Sequence, residues 1–194
     1  MSRIIAFAGS SRRESLNRKL AHAAVEIGAE ADVTLNLIEL GDFPMPLYNG
    51  DMEDSEGLPE SAKRLKDLVT AADGLLIVTP EYNSSITPLL KNTIDWLSRT
   101  ETDDEPTLSA YRGKVAGLLS ASPGGLGGLR ALFHLREILQ NIGVTVVPKQ
   151  FALSSADKHF DDDGRLADDR IRGQIRQVIL TLAEMTKKLN QPLS

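Results

Sequence analysis

Short apolar runs alternate with longer amphipathic stretches along this chain, and that alternation restricts its fold more than any other feature. The apolar runs are Ile4–Ala8, Val33–Leu40, Gly74–Thr79, Lys114–Ala121 and a fifth that begins at Val144–Val147 and continues past Pro148. Between them lie stretches with apolar residues at helical spacing. Leu16 to Gly28 is one, and Glu60 to Ala72 is another, with Ala62, Leu65, Leu68 and Val69 on one face. Thr87 caps a helix that runs to about Arg99, with Pro88 at its first position, where a missing N–H costs nothing. Leu126 to Ile142 is stopped by Gly143, and Ile171 to Leu189 closes the series. Residues 41–57 carry prolines, Asn49 and three glycines and read as a loop.

Strands separated by helices imply a parallel sheet with helices on both faces. Gly74–Thr79 is apolar without interruption, as a strand covered on both sides must be. The expected architecture is an α/β domain spanning 1–194, with a five-stranded parallel sheet in the order 2-1-3-4-5. In such sheets ligands bind beyond the carboxyl ends of the strands, where the strand order reverses. The loops leaving strands one, three and four would there lie side by side.

Those three loops carry the unusual chemistry. Gly9-Ser10-Ser11-Arg12-Arg13-Glu14-Ser15-Leu16-Asn17 leads into a helix, whose N-terminus favours phosphate. Ser10, Ser15 and Asn17 add neutral donors, and Arg12 can add a charge-assisted fork. The loop matches neither the P-loop nor the dinucleotide glycine pattern, which leaves a monophosphate cradle or an ordinary polar turn with Ser15 as the helix cap. In the second loop, Pro80-Glu81-Tyr82-Asn83-Ser84-Ser85, Tyr82 offers an aromatic face, and backbone amides with Asn83 can read the edge of a heterocycle. The same residues also suit a plain turn. The third loop, Ser120-Ala121-Ser122-Pro123-Gly124-Gly125-Leu126-Gly127-Gly128, has four glycines in its last five positions, so its backbone can approach a ligand closely or turn sharply. It precedes a helix, whose first amides can point at developing negative charge.

Composition removes several function classes. Without cysteine there is no disulfide, thiolate catalysis or iron–sulfur ligation. His22, His134 and His159 lack metal-site spacing, and Asp157–Gly164 fails as a calcium loop because His159 and Arg170 stand where carboxylates are needed. No Gly-x-Ser-x-Gly elbow is present. A net charge of −5, with no basic stripe, argues against nucleic acid or an anionic membrane as partner. No run approaches the roughly 20 apolar residues of a membrane span, and the N-terminus does not read as a signal peptide, so a cytoplasmic protein is expected.

Taken together, Gly9-Ser10-Ser11-Arg12-x-x-Ser15-x-Asn17, Pro80-Glu81-Tyr82-Asn83-x-Ser85 and Lys91-Asn92-Thr93-Ile94-Asp95-Trp96-x-Ser98-Arg99 resemble the NADPH-dependent FMN reductase family, which includes quinone and chromate reductases and FMN-dependent azoreductases. The resemblance implies a flavodoxin-like fold, bound FMN, and NADPH or NADH as electron donor. It implies small acceptors such as quinones, azo compounds, flavins or chromate. By matching positions, Ser10, Arg12, Ser15, Leu16 and Asn17 would hold the phosphate. Pro80, Glu81, Tyr82 and Asn83 would border the isoalloxazine, and Ser122, Gly124 and Gly125 would complete the ring and ribityl side. No side chain is implied as catalytic acid or base. Family members are homodimers or homotetramers, and Asp42–Asn49 resembles the segment that reaches the neighbouring subunit's site; Trp96 suits either the core or a subunit interface, and reads more as interface or its border. Two other functions fit the same loops: an FMN-binding electron carrier without enzymatic activity, and a binding module that kept the fold without flavin.

Overall fold

The computed structural model describes residues 2–190. Its elements follow the alternation. Strands β1 (Ile4–Ala8), β3 (Gly74–Val78) and β4 (Val115–Ala121) are wholly buried, as runs that are apolar but for Ser120 require. Strand β2 (Leu35–Ile38) is shorter than the expected Val33–Leu40, because Leu40–Asp42 turns into a single 3₁₀ turn. The fifth position is filled by two segments, β5 (Thr145–Val146) and β6 (Phe151–Leu153). Both pair with β4, β5 against Val115 and Ala116 and β6 against Leu119 to Ala121. Pro148 stands in the gap, where it has no N–H to give to the ladder. All pairings are parallel and the order is β2-β1-β3-β4-β5, the order expected of a flavodoxin-like sheet.

Two cores form because successive strand residues face opposite sides. Ile4, Ala6, Leu76, Val78 and Leu119 pack against α1 (Leu16–Ala29) and α6 (Asp169–Leu189). Ile5, Phe7, Leu75, Ile77 and Leu118 pack against α3 (Glu60–Thr70), α4 (Pro88–Leu97) and α5 (Leu129–Asn141). Helix α5 begins three residues later than its apolar pattern suggests, since Gly127 and Gly128 both take positive φ (62° and 91°), which an α-helix does not tolerate.

Two expectations are corrected here. The 41–57 stretch contains a helix, α2 (Gly50–Glu56), which Asn49 starts by accepting a hydrogen bond from the Asp51 N–H, with Asp51 and Glu53 in its first turn. None of its residues is buried, so it carries no apolar stripe. Trp96 lies in the core rather than on an interface. It is fully buried, and its Nε1 donates to Pro46 O at 2.8 Å.

Candidate functional site

The loops after β1, β3 and β4 meet at the carboxyl edge of the sheet around an open cavity of about 320 Å³. Ser10, Arg12, Ser15, Leu16, Asn17, Pro80, Glu81, Tyr82 and Ser122 line it, with Ala121 and Pro123, which the loop chemistry did not single out. Asn83, Gly124 and Gly125 stand in the same loops without lining the cavity. A larger open depression of about 630 Å³ lies at the opposite end of the strands, beside Asp32, Asp73 and Lys187, and touches none of these residues.

The first loop leaves the start of α1 open. Lys19 N donates to Ser15 O and Ser15 N to Arg12 O, while the N–H groups of Leu16, Asn17 and Arg18 have no acceptor among the described residues. Ser15 is the N-cap residue, yet its hydroxyl does not cap the helix. Arg12 is exposed, and its guanidinium is held only by the Glu14 carbonyl at 3.2 Å. Free helix-start amides, two serine hydroxyls and a loosely held arginine are the donor set an oxyanion needs.

The second loop is a tight hairpin. Tyr82 and Ser85 exchange both main-chain hydrogen bonds, at 2.9 and 3.0 Å, around Asn83 and Ser84, which take positive φ of 50° and 68°. Two successive left-handed residues make a type I′ turn. The turn presents Tyr82 with about half its surface exposed (48%) at the cavity rim. His134 Nδ1 lies 3.1 Å from Ser85 Oγ behind the turn.

The third loop divides its glycines between two duties. A Cβ on Gly127 would lie 2.6 Å from the Leu153 carbonyl carbon, and one on Gly128 would lie 2.9 Å from Ser120 Cβ, so both are demanded by the protein's own packing. A Cβ on Gly125 would meet nothing within 4 Å, and one on Gly124 only Ser122 Oγ at 3.5 Å. Packing does not require glycine there; what their bareness leaves is open backbone beside the cavity.

Glu81 lines the cavity, but its carboxylate is taken up by α5. Its carboxylate accepts the N–H groups of Arg130 (3.0 Å) and Ala131 (3.4 Å) and pairs with the Arg130 guanidinium, whose Nε lies 2.6 Å from Oε1. Burial pushes its carboxyl up, but the Arg130 side chain, the two N–H groups and the positive charge outweigh that and hold it below the usual carboxylate range. Glu81 thus caps α5 from a neighbouring loop. The N-cap residue is Gly128, where no capping side chain fits. The expectation that the opening amides of α5 point at a ligand is therefore corrected: Arg130 and Ala131 give theirs to Glu81. Arg130 and Thr87 were not read as parts of the site. Thr87 both accepts from Leu90 N, as its capping role foresaw, and donates to Gly9 O at 2.6 Å, tying the second loop to the first.

Asp42–Asn49 is fastened to α4. Pro46 O accepts from Asn92 Nδ2 and Trp96 Nε1, both at 2.8 Å, and Asn92 Oδ1 accepts from Tyr48 N at 2.8 Å. Leu47 projects from this brace 79% exposed.

The profile of the family described as NADPH-dependent FMN reductase matches residues 2–158. The chain is 36% identical to an NAD(P)H-dependent FMN reductase of Pseudomonas aeruginosa over 189 residues, covering 96% of each chain. It is 40% identical to a quinone reductase of Pseudomonas putida over 161 residues, 82% of each. Among solved structures, a flavoenzyme NAD(P)H:(acceptor) oxidoreductase from Paracoccus denitrificans superposes with a TM-score of 0.79 at 27% identity, over 97% of this chain and 98% of that one.

Proposed function

The chain belongs to the NADPH-dependent FMN reductase family, and from that premise we propose that the three-loop cavity is its FMN site. The activity is that of an FMN-dependent NAD(P)H oxidoreductase. Ser10, Arg12, Ser15 and the main-chain N–H groups of Leu16 and Asn17 receive the phosphate. Pro80, Tyr82 and Asn83 border the ring on one side, and Ser122, Gly124 and Gly125 on the other. Glu81 contributes by fixing the wall between the second and third loops. When bound, FMN supplies the electron relay between the nicotinamide and a small acceptor, and the protein supplies binding, orientation and exclusion of water. Quinones are the acceptor class favoured by the relatives' names. No helix of the described residues is long and apolar enough to cross a membrane, and a cytoplasmic setting supplies the nicotinamide donor.

The exposed Leu47 on its braced segment is the surface through which a second copy docks beside the cavity, giving a homodimer or homotetramer. One observation carries the flavin reading: the unpartnered start of α1 opens into the same cavity as Tyr82 and Ser122, the residue from which the glycine loop departs. Arg12→Ala tests it. The guanidinium has one weak protein partner and is free to fork onto the phosphate, so its loss weakens FMN by about 1.5–3 kcal/mol, the range for a hydrogen bond to a charged group. Unchanged affinity would place the phosphate elsewhere.

A further inference from the structure

Asn17 is buried (3% exposed), and both polar atoms of its side chain are in use. Nδ2 donates to Ala121 O at 2.8 Å, and Oδ1 accepts from Ala121 N at 2.9 Å, across a sequence separation of 104 residues. The reason for this pairing lies in the sheet. β3 pairs with β4 only as far as Val78 opposite Leu119, with Thr79 N closing on Leu119 O. The chain then turns away at Pro80, which has no N–H. Ala121 lies two residues beyond Leu119, so its N–H and C=O point to the same side as those of Leu119, into the space β3 has vacated. The carboxamide of Asn17 fills that space. It presents one donor and one acceptor, as a peptide group would, and extends the ladder by one rung.

We infer that Asn17 is a positioning residue that sets the distance between the phosphate end and the ring end of the cavity, and that its side chain is not a phosphate ligand. This rests on the reading of the cavity as the FMN site. Ala121 begins the third loop, with Ser122 next to it, while Asn17 stands in the first turn of α1 beside the free amides of Leu16 and Arg18. One side chain therefore locks the phosphate cradle to the strand end from which the ring-side loop departs. The other pairs of loops are tied separately, by Thr87 on Gly9 O and by Glu81 on Arg130. A bare hole at Ala121 leaves a buried N–H and C=O without partners, and the two loops are free to separate.

The test compares FMN with riboflavin, which lacks the phosphate, by flavin fluorescence titration of wild type, Arg12→Ala and Asn17→Ala. For Asn17→Ala, affinities for FMN and riboflavin are expected to fall by the same factor, at least about fivefold, leaving their ratio as in wild type. For Arg12→Ala, FMN affinity falls and riboflavin affinity does not. Loss of FMN affinity alone in Asn17→Ala would make its side chain a phosphate ligand and overturn the inference. Both affinities unchanged, with only the melting temperature lowered, would make the residue structural and overturn it equally. If Asn17→Ala does not fold, hydrogen exchange on flavin-free wild type decides: an Ala121 N–H protected like the rest of β4 supports the strut, and rapid exchange refutes it. Wild type that shows no preference for FMN over riboflavin refutes the flavin reading itself, a failure visible before any Asn17 variant is measured.

Discussion

Removing the Glu81 carboxylate should destabilise the fold by an amount that can be assembled from its contacts. Helix α5 cannot be capped from its own N-cap position, because Gly128 has φ 91° and a Cβ there would press on Ser120 at 2.9 Å. Glu81 does that work from the second loop, accepting the N–H groups of Arg130 and Ala131. Loss of a helix cap costs about 1 kcal/mol. The ion pair with Arg130 adds at most about 1 kcal/mol, because the arginine side chain is 55% exposed while the carboxylate is 8% exposed. Glu81→Ala should therefore cost about 1.5–2 kcal/mol, which for a chain of this size lowers the melting temperature by roughly 3–8 °C. Glu81→Gln keeps an acceptor for the N–H groups but loses the charge, and should cost about half as much. The assay is urea and thermal unfolding of flavin-free protein followed by circular dichroism. The folded carboxyl titrates below its ordinary value near 4.5. Its stabilisation is therefore complete above that value and is lost as pH falls through the folded pKa. The gap between wild type and Glu81→Ala should be constant at neutral pH and close below about pH 4.5. A cost under about 0.5 kcal/mol at pH 7, or a gap indifferent to pH down to 3, would refute the capping argument.

A second carboxylate gives a further pH limb. Burial raises Glu105, but hydrogen bonds from Lys66, Ser109 and the Glu101 N–H, together with the Lys66 charge, hold its carboxyl at about 2. The stability it adds, discounted for its partial exposure, is about 2 kcal/mol; it should be intact above pH 4.5 and vanish toward pH 2, and Glu105→Gln should flatten that limb in acid unfolding curves. Leu47→Asp should leave the fold intact, since Leu47 is 79% exposed, yet convert the oligomer to monomer in sedimentation equilibrium; a monomeric wild type, or an unchanged variant oligomer, would remove this segment from the interface.

The sheet was legible because burial on two faces leaves β1, β3 and β4 apolar but for Ser120, and the runs Ile4–Ala8, Gly74–Val78 and Val115–Ala121 show that directly. The order of the three loops around the cavity followed from it. Helix α2 was not legible, since a helix with no buried residue needs no apolar period and is announced only by Asn49 and its acidic first turn. Trp96 was misplaced because its spacing on α4 does not reveal that Pro46 O waits for its indole N–H. Within the site, the local signals gave the positions of Asn17 and Glu81 but not their tasks. Both act on backbone far along the chain, Asn17 on Ala121 and Glu81 on Arg130 and Ala131, and no local pattern encodes such partners. The glycine run was legible as a whole; its division into packed Gly127 and Gly128 and open Gly124 and Gly125 needed the third dimension.

The flavin site is tested most directly by an absorbance spectrum of the protein loaded with FMN and desalted, followed by NADPH and then NADH added without oxygen, on wild type and on Arg12→Ala. Wild type should retain a flavin band that a nicotinamide bleaches, and the band should be reduced or lost in Arg12→Ala. A wild type that retains no band, or a band that neither nicotinamide bleaches, would contradict the flavin reading.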